Sequence, residues 1–207
     1  MKVSRFLVLV AFVTGCGSTA VTSPQTPADA ARKAGEAKTS TDPSVNPDAA
    51  LMADFKVRID NYIALHEQLA RGGAKLRESE DPKVIADAKA WLAAKVQGAR
   101  ADAKHGDIFT PAIRAKFRRL LAPELKGEEG RDTRAVLKDD APAPGTIKFK
   151  VNAKYPEAQP LPTVPANLLL TLPTLPEPLE YRIVGKHLIL LDTSADLVVD
   201  YIPNAIP

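Results

Sequence analysis

Proline placement constrains this chain more than any other feature, because proline locks φ and has no amide hydrogen to give to a helix or sheet interior. Of the 18 prolines in the 207 residues, eleven lie from Pro142 onward, and two of the others stand in positions typical of helix starts. Asp81-Pro82 and Thr110-Pro111 each place a capping side chain before a proline at the first helical position. The middle of the chain is therefore free to be helical, whereas everything after Pro142 must be extended, turned or in short pieces. An α+β fold follows, with helices first and strands last.

The helical stretch begins near Leu51. Leu51, Phe55, Ile59, Tyr62, Ile63 and Leu69 recur at three- and four-residue spacing and predict a helix capped by Asp48 and ended by Gly72-Gly73. Val84, Ile85, Ala88, Leu92, Val96 and Ala99 form a second stripe, with Trp91 at its edge. After a turn at His105-Gly106-Asp107, Ile113, Phe117, Leu120 and Leu121 form a third, and Arg131 to Lys138 a short fourth. Short connections between such stripes imply an antiparallel hairpin or small bundle over 51–141.

Beyond Pro142 the period changes from helical to alternating. Ile147, Phe149 and Val151 alternate with Lys148 and Lys150, which predicts a strand. Ala166 to Leu172 has room for a helical turn or two among the prolines. Glu180 to Val184, His187 to Leu191 and Leu197 to Tyr201 predict three more strands, joined at Gly185-Lys186 and Thr193-Ser194-Ala195. A meander of this kind over 142–207 is not stable alone and must pack on the helices. In the closing stretch Ile202 and Ile206 are apolar and two prolines stiffen the backbone, which predicts a tail lying against the fold, the alternative being a short extended ligand for a partner's groove.

Residues 17–50 are of another kind. They contain no aromatic residue, no Leu and no Ile, and cannot bury enough apolar surface to offset the entropy of ordering. A disordered tether is expected there, and 34 residues of flexible coil would span roughly 30 Å. Before it, Lys2 and Arg5 precede the apolar run Phe6 to Val13, followed by Val13-Thr14-Gly15-Cys16. The run is shorter than the roughly 20 apolar residues a spanning helix needs. This pattern resembles a bacterial lipoprotein signal peptide over 1–15 with its lipobox. The resemblance implies cleavage before Cys16, a lipid on its sulfur, and a membrane attachment through that lipid. Gly17 stands where a resemblance to inner-membrane retention signals would need aspartate, so the expected location is the outer membrane facing the periplasm.

A second resemblance lies at the other end. Leu172-Pro173-x-Leu175-Pro176-x-x-Leu179-x-Tyr181-Arg182-x-Val184-Gly185-x-x-Leu188-Ile189-Leu190-x-Asp192, with Leu197-Val198-Val199-Asp200, resembles a β-meander of periplasmic proteins linked to nickel and cobalt homeostasis. Gly106-Asp107-Ile108-Phe109-Thr110-Pro111 and the closing Ile202 to Pro207 resemble a family of exported bacterial proteins that carries no assigned activity. These likenesses imply an envelope location and a strand-turn-strand-turn-strand ending.

Removing residues 1–15 takes away Lys2 and Arg5 and lowers the formal charge from +3 to +1. So balanced a chain gives no general argument for nucleic acid. Cys16 is the only cysteine, so the folded part has neither thiol chemistry nor disulfide, and its core must hold it together. From Leu51 onward the only serines are Ser79 and Ser194, and no nucleophile elbow or phosphate loop occurs. No catalytic, cofactor or metal residue is therefore assigned. His66 reads as a helix-face residue and His105 as a complement to a helix dipole. Asp192 and Asp196 flank one turn and read as turn caps rather than a cation loop.

The densest positive cluster is Arg114, Lys116, Arg118 and Arg119 on the third helix. It reads either as a contact face for anionic lipid or a polyanionic envelope component, or as a solvated face partly paired with Asp107 and Glu124. Together these features predict a non-catalytic envelope lipoprotein with a structural or binding role toward another envelope component. The alternatives are an envelope hydrolase acting through carboxylates and a periplasmic metal-handling protein.

Overall fold

The computed structural model describes residues 46–72, 80–143, 146–156 and 158–207. The signal peptide, Cys16, residues 17–45 of the expected tether and Gly73 lie outside the described residues, whereas residues 46–50, expected to belong to the tether, form the cap and first turn of a helix. Ser44–Pro207 is a compact unit of its own, and its architecture is α+β. Helices α1 (Pro47–Arg71), α2 (Pro82–Ala99), α3 (Pro111–Leu121), α4 (Gly127–Asp139) and the short α5 (Ala166–Thr171) accompany strands β1 (Ala153–Lys154), β2 (Leu179–Val184), β3 (His187–Asp192) and β4 (Leu197–Ile202). The strands form one antiparallel sheet in the order β1-β4-β3-β2.

Helix α1 starts earlier than its apolar stripe suggests. Asn46, not Asp48, is the N-cap, accepting the Asp48 amide at 3.0 Å, and Pro47 takes the first helical position. Asp48 instead stands in the first turn, where a carboxylate meets the positive end of the helix dipole. Asp81 and Thr110 cap α2 and α3 as their sequence signals require, accepting from Lys83 N and Ile113 N. Helix α4 is longer than its apolar residues imply, starting at Gly127.

Phe55, Ile59 and Tyr62 of α1, Leu92 and Val96 of α2, and Ile113, Phe117 and Leu121 of α3 share one core with the helix-facing side of the sheet. Phe55, Phe109 and Phe117 meet at ring separations of 5.0 to 5.8 Å, in stacked and edge-on geometries. Each such buried side chain contributes roughly 1.5–3 kcal/mol, ample for a chain without disulfides. The second stripe is only half used, because Val84 and Ile85 remain 47% and 37% exposed and burial begins at Leu92.

The segment 147–151 is not a strand, contrary to its alternating pattern. Its side chains do alternate in burial, with Ile147, Phe149 and Val151 inward and Lys148 and Lys150 outward. Pairing is confined to Ala153 and Lys154 against Val198 and Leu197. Asn152, at φ 64°, turns the chain, and its side chain donates to the carbonyls of Gln97 and Arg100 at the end of α2. The segment before that turn thus lies over the sheet instead of extending it. It covers a second apolar cluster of Tyr155, Val184, Ile189, Leu191 and Val198 on the sheet face away from the helices. Burial on both faces explains why β3 and β4 are almost continuously apolar.

The hairpin turn at Gly185-Lys186 has φ 59° at Gly185, as the first central position of a tight hairpin requires. Between β3 and β4 the register shifts between Leu190 and Leu191, pairing Leu190 with Asp200 but Leu191 with Val198. The extra residue is a β-bulge. The tail packs as expected: Ala205 and Ile206 are buried, and the Ile206 amide donates to the Lys186 carbonyl.

Candidate functional site

Among the described residues Asp192 and Asp200 are carboxylates with no exposure at all. Burial of a charge is costly unless hydrogen bonds replace water, and each aspartate has its own set. Asp200 Oδ2 accepts from the amides of Ile108 (3.0 Å) and Phe109 (2.8 Å), and Oδ1 from Gly106 (3.1 Å) and Tyr201 (2.8 Å). Gly106, at φ 95°, lets the loop turn its amides inward. The Gly106 to Pro111 run singled out in the sequence is therefore an anion-binding loop whose anion is Asp200. Leu197 and Val199 face the helices, and strict alternation would send Asp200 to the other side. The bulge re-aims it toward the loop.

Asp192 Oδ1 accepts from Ser194 N and Ala195 N, both at 2.9 Å, as a turn cap. Its Oδ2 accepts the Tyr62 hydroxyl at 2.6 Å, tying α1 to β3. His66 Nε2 stands 3.4 Å from the same oxygen without a hydrogen bond, so the pair attracts only when the imidazole is protonated. Burial, and then the charge of Asp192, push the Tyr62 hydroxyl well above the ordinary tyrosine range. The Arg100 guanidinium lies 5.0 Å from the Tyr62 ring centroid and reaches the Val199 carbonyl, with burial drawing its pKa down. The aspartates' oxygens are thus already committed to the backbone and to Tyr62, an arrangement that clamps helices onto the sheet.

The four predicted surface cations are likewise engaged within the fold, with partners other than Asp107 and Glu124. Lys116 and Arg119 converge on Asp48 at 2.7 and 3.3 Å, and chiefly the Lys116 hydrogen bond holds that carboxyl below its usual range. Arg118 donates to the carbonyls of Pro203 and Asn204, and Arg114 reaches the His105 ring. His105 itself stacks on Tyr201 at 4.3 Å, and Nε2 lies 3.0 Å from the Tyr201 carbonyl. Its role as a dipole complement gives way to these contacts, which the residue's place in sequence does not reveal. No group of three or more His, Cys, Asp or Glu among the described residues is arranged to hold a metal.

The recess best suited to a small ligand lies elsewhere, where the end of α4 faces the β2–β3 hairpin and the tail. A cavity of about 590 Å³ has a floor formed by Leu137, Ile147, Phe149, Val184 and Ile206. Lys138, Lys186, His187 and Arg134 stand around it, and no acidic side chain lines it among the described residues. Arg134 donates to the Leu125 carbonyl and is partly spent in the fold. The ammonium groups of Lys138 and Lys186 make no ion pair or hydrogen bond with the described residues. His187 packs edge-on to Phe149 at 5.3 Å, burial lowers its pKa, and its Nδ1 is buried with no hydrogen-bond partner. The volume falls in the range of about 300–1,000 Å³ typical of ligand pockets. Sequence reasoning missed this site, because its walls come from four separated segments and none carries a motif. No family model matches the chain, and neither curated proteins nor solved structures match it.

Proposed function

We propose that this chain is a lipid-anchored protein of the bacterial envelope, with a compact domain that binds another envelope component rather than transforming a substrate. The observation that carries the proposal is Val13-Thr14-Gly15-Cys16 behind a basic start and a short apolar run. The organisation of the rest agrees with it. A stretch without Leu, Ile or aromatic residues separates Cys16 from a domain that folds around its own core. Among the described residues no helix is long and apolar enough to cross a membrane, so in this reading attachment depends on the lipid. Gly17 after the acylated residue favours the outer membrane.

A binding role is supported by what the buried ionisable groups are used for. Asp192 and Asp200, the best desolvated acids described, hold backbone amides, whereas the open apolar cavity is rimmed by Lys138 and Lys186, whose ammonium groups have no partner among the described residues. Replacing Cys16→Ala tests the anchor. The expected result is an uncleaved, unlipidated precursor that leaves the outer-membrane fraction after mild washing. Unchanged fractionation of Cys16→Ala, with normal processing, overturns the proposal.

A further inference from the structure

We propose that the cavity between α4, the β2–β3 hairpin and the tail binds a single long-chain carboxylate, with its acyl chain on the apolar floor and its head at the lysine rim. The floor is hydrocarbon from Leu137, Ile147, Phe149, Val184 and Ile206, where each buried methylene is worth about 0.8 kcal/mol. A peptide would bring amides onto this floor, and each would need a partner that aliphatic side chains cannot supply. The rim sets the sign of the head group. Lys138 and Lys186 bring two ammonium groups with no partner among the described residues, and Asp139 and Asp140, which follow Lys138 in the chain, do not line the cavity. His187 stands beside them, edge-on to Phe149. The volume of about 590 Å³ suits one acyl chain and its head rather than a two-chain lipid.

The proposal gives the binding role a ligand and rests on that part of the reading above, but not on the anchor. The compact unit Ser44–Pro207, which lacks Cys16, therefore serves for the test, so its outcome and that of the Cys16→Ala fractionation are separate. Purified protein is titrated with cis-parinaric acid, whose fluorescence rises in an apolar site, and then with oleate and oleyl alcohol as competitors. Saturable one-to-one binding is expected, with oleate displacing the probe at least roughly tenfold better than the neutral alcohol. Lys138→Gln with Lys186→Gln should weaken oleate by roughly tenfold at unchanged melting temperature. Ala141→Trp, placed on the coil wall outside any helix or strand, should abolish probe binding. Non-saturable uptake, equal displacement by the alcohol, or unchanged binding in Ala141→Trp would each overturn the proposal. So would adsorption to phosphatidylglycerol vesicles without uptake of monomeric parinarate, since the occupant would then be a lipid surface.

Discussion

At the scale of single residues, Asp200 does more for this fold than its size suggests. Its two oxygens receive amides from Gly106, Ile108, Phe109 and Tyr201, so one side chain closes a loop, positions the start of α3 and joins both to β4. Asp200→Asn keeps the volume but turns an NH₂ group toward backbone donors and removes the charge they stabilise. It should lower unfolding free energy by about 3 kcal/mol, the cost of orphaning buried groups around a lost charge. Urea denaturation measures this. A loss within the ±0.5 kcal/mol usual for surface changes would show that the loop holds itself. The local sequence places Asp196 at a turn and Asp200 in a strand, but it does not tell an outward strand aspartate from one turned toward the Gly106 loop. The distinction comes from a bulge, and a bulge is a property of pairing between strands rather than of either strand alone.

Among the elements, α4 shows how packing can reverse a propensity. Gly130 lies inside the helix, where Gly→Ala ordinarily gains up to about 1 kcal/mol. Here a Cβ would stand 2.3 Å from the Leu125 carbonyl carbon and 2.9 Å from its Cα, in the turn preceding the helix. That contact is with backbone and cannot rotate away, so Gly130→Ala should cost about 2 kcal/mol net. Gly98, near the end of α2, has open space around it, and Gly98→Ala should stabilise by up to about 1 kcal/mol. Opposite shifts of the two denaturation midpoints check the argument, and stabilisation by both would refute the close approach at Gly130. The segment 147–151 makes a related point. Its alternation is real in burial, yet its backbone is turned away at Asn152, and alternation records which side is wet rather than whether a neighbour supplies a ladder.

Across the whole molecule, the tail joins the helical layer to the sheet. Ile206 is buried beside the hairpin, and Arg118 of α3 holds the Pro203 and Asn204 carbonyls. Ile206→Ala should lose about 2 kcal/mol, lowering the melting temperature by roughly 4–8 °C for a domain of this size. A shift under a degree would mean that the tail rests on the fold without supporting it. The α+β order, four of the helices, the β2–β3–β4 meander and the packed tail were legible in the sequence, because periodicity, caps and turn residues act within a few positions along the chain. The extent of α1 was less so, since a stripe of apolar residues says where a helix is buried and not where Asn46 caps it. The half-used stripe of α2, the capture of Asp200, the internal pairing of Arg114, Lys116, Arg118 and Arg119, and the cavity were decided only in three dimensions. Each depends on residues far apart in sequence meeting at one point, and burial, charge compensation and cavity shape exist only where they meet.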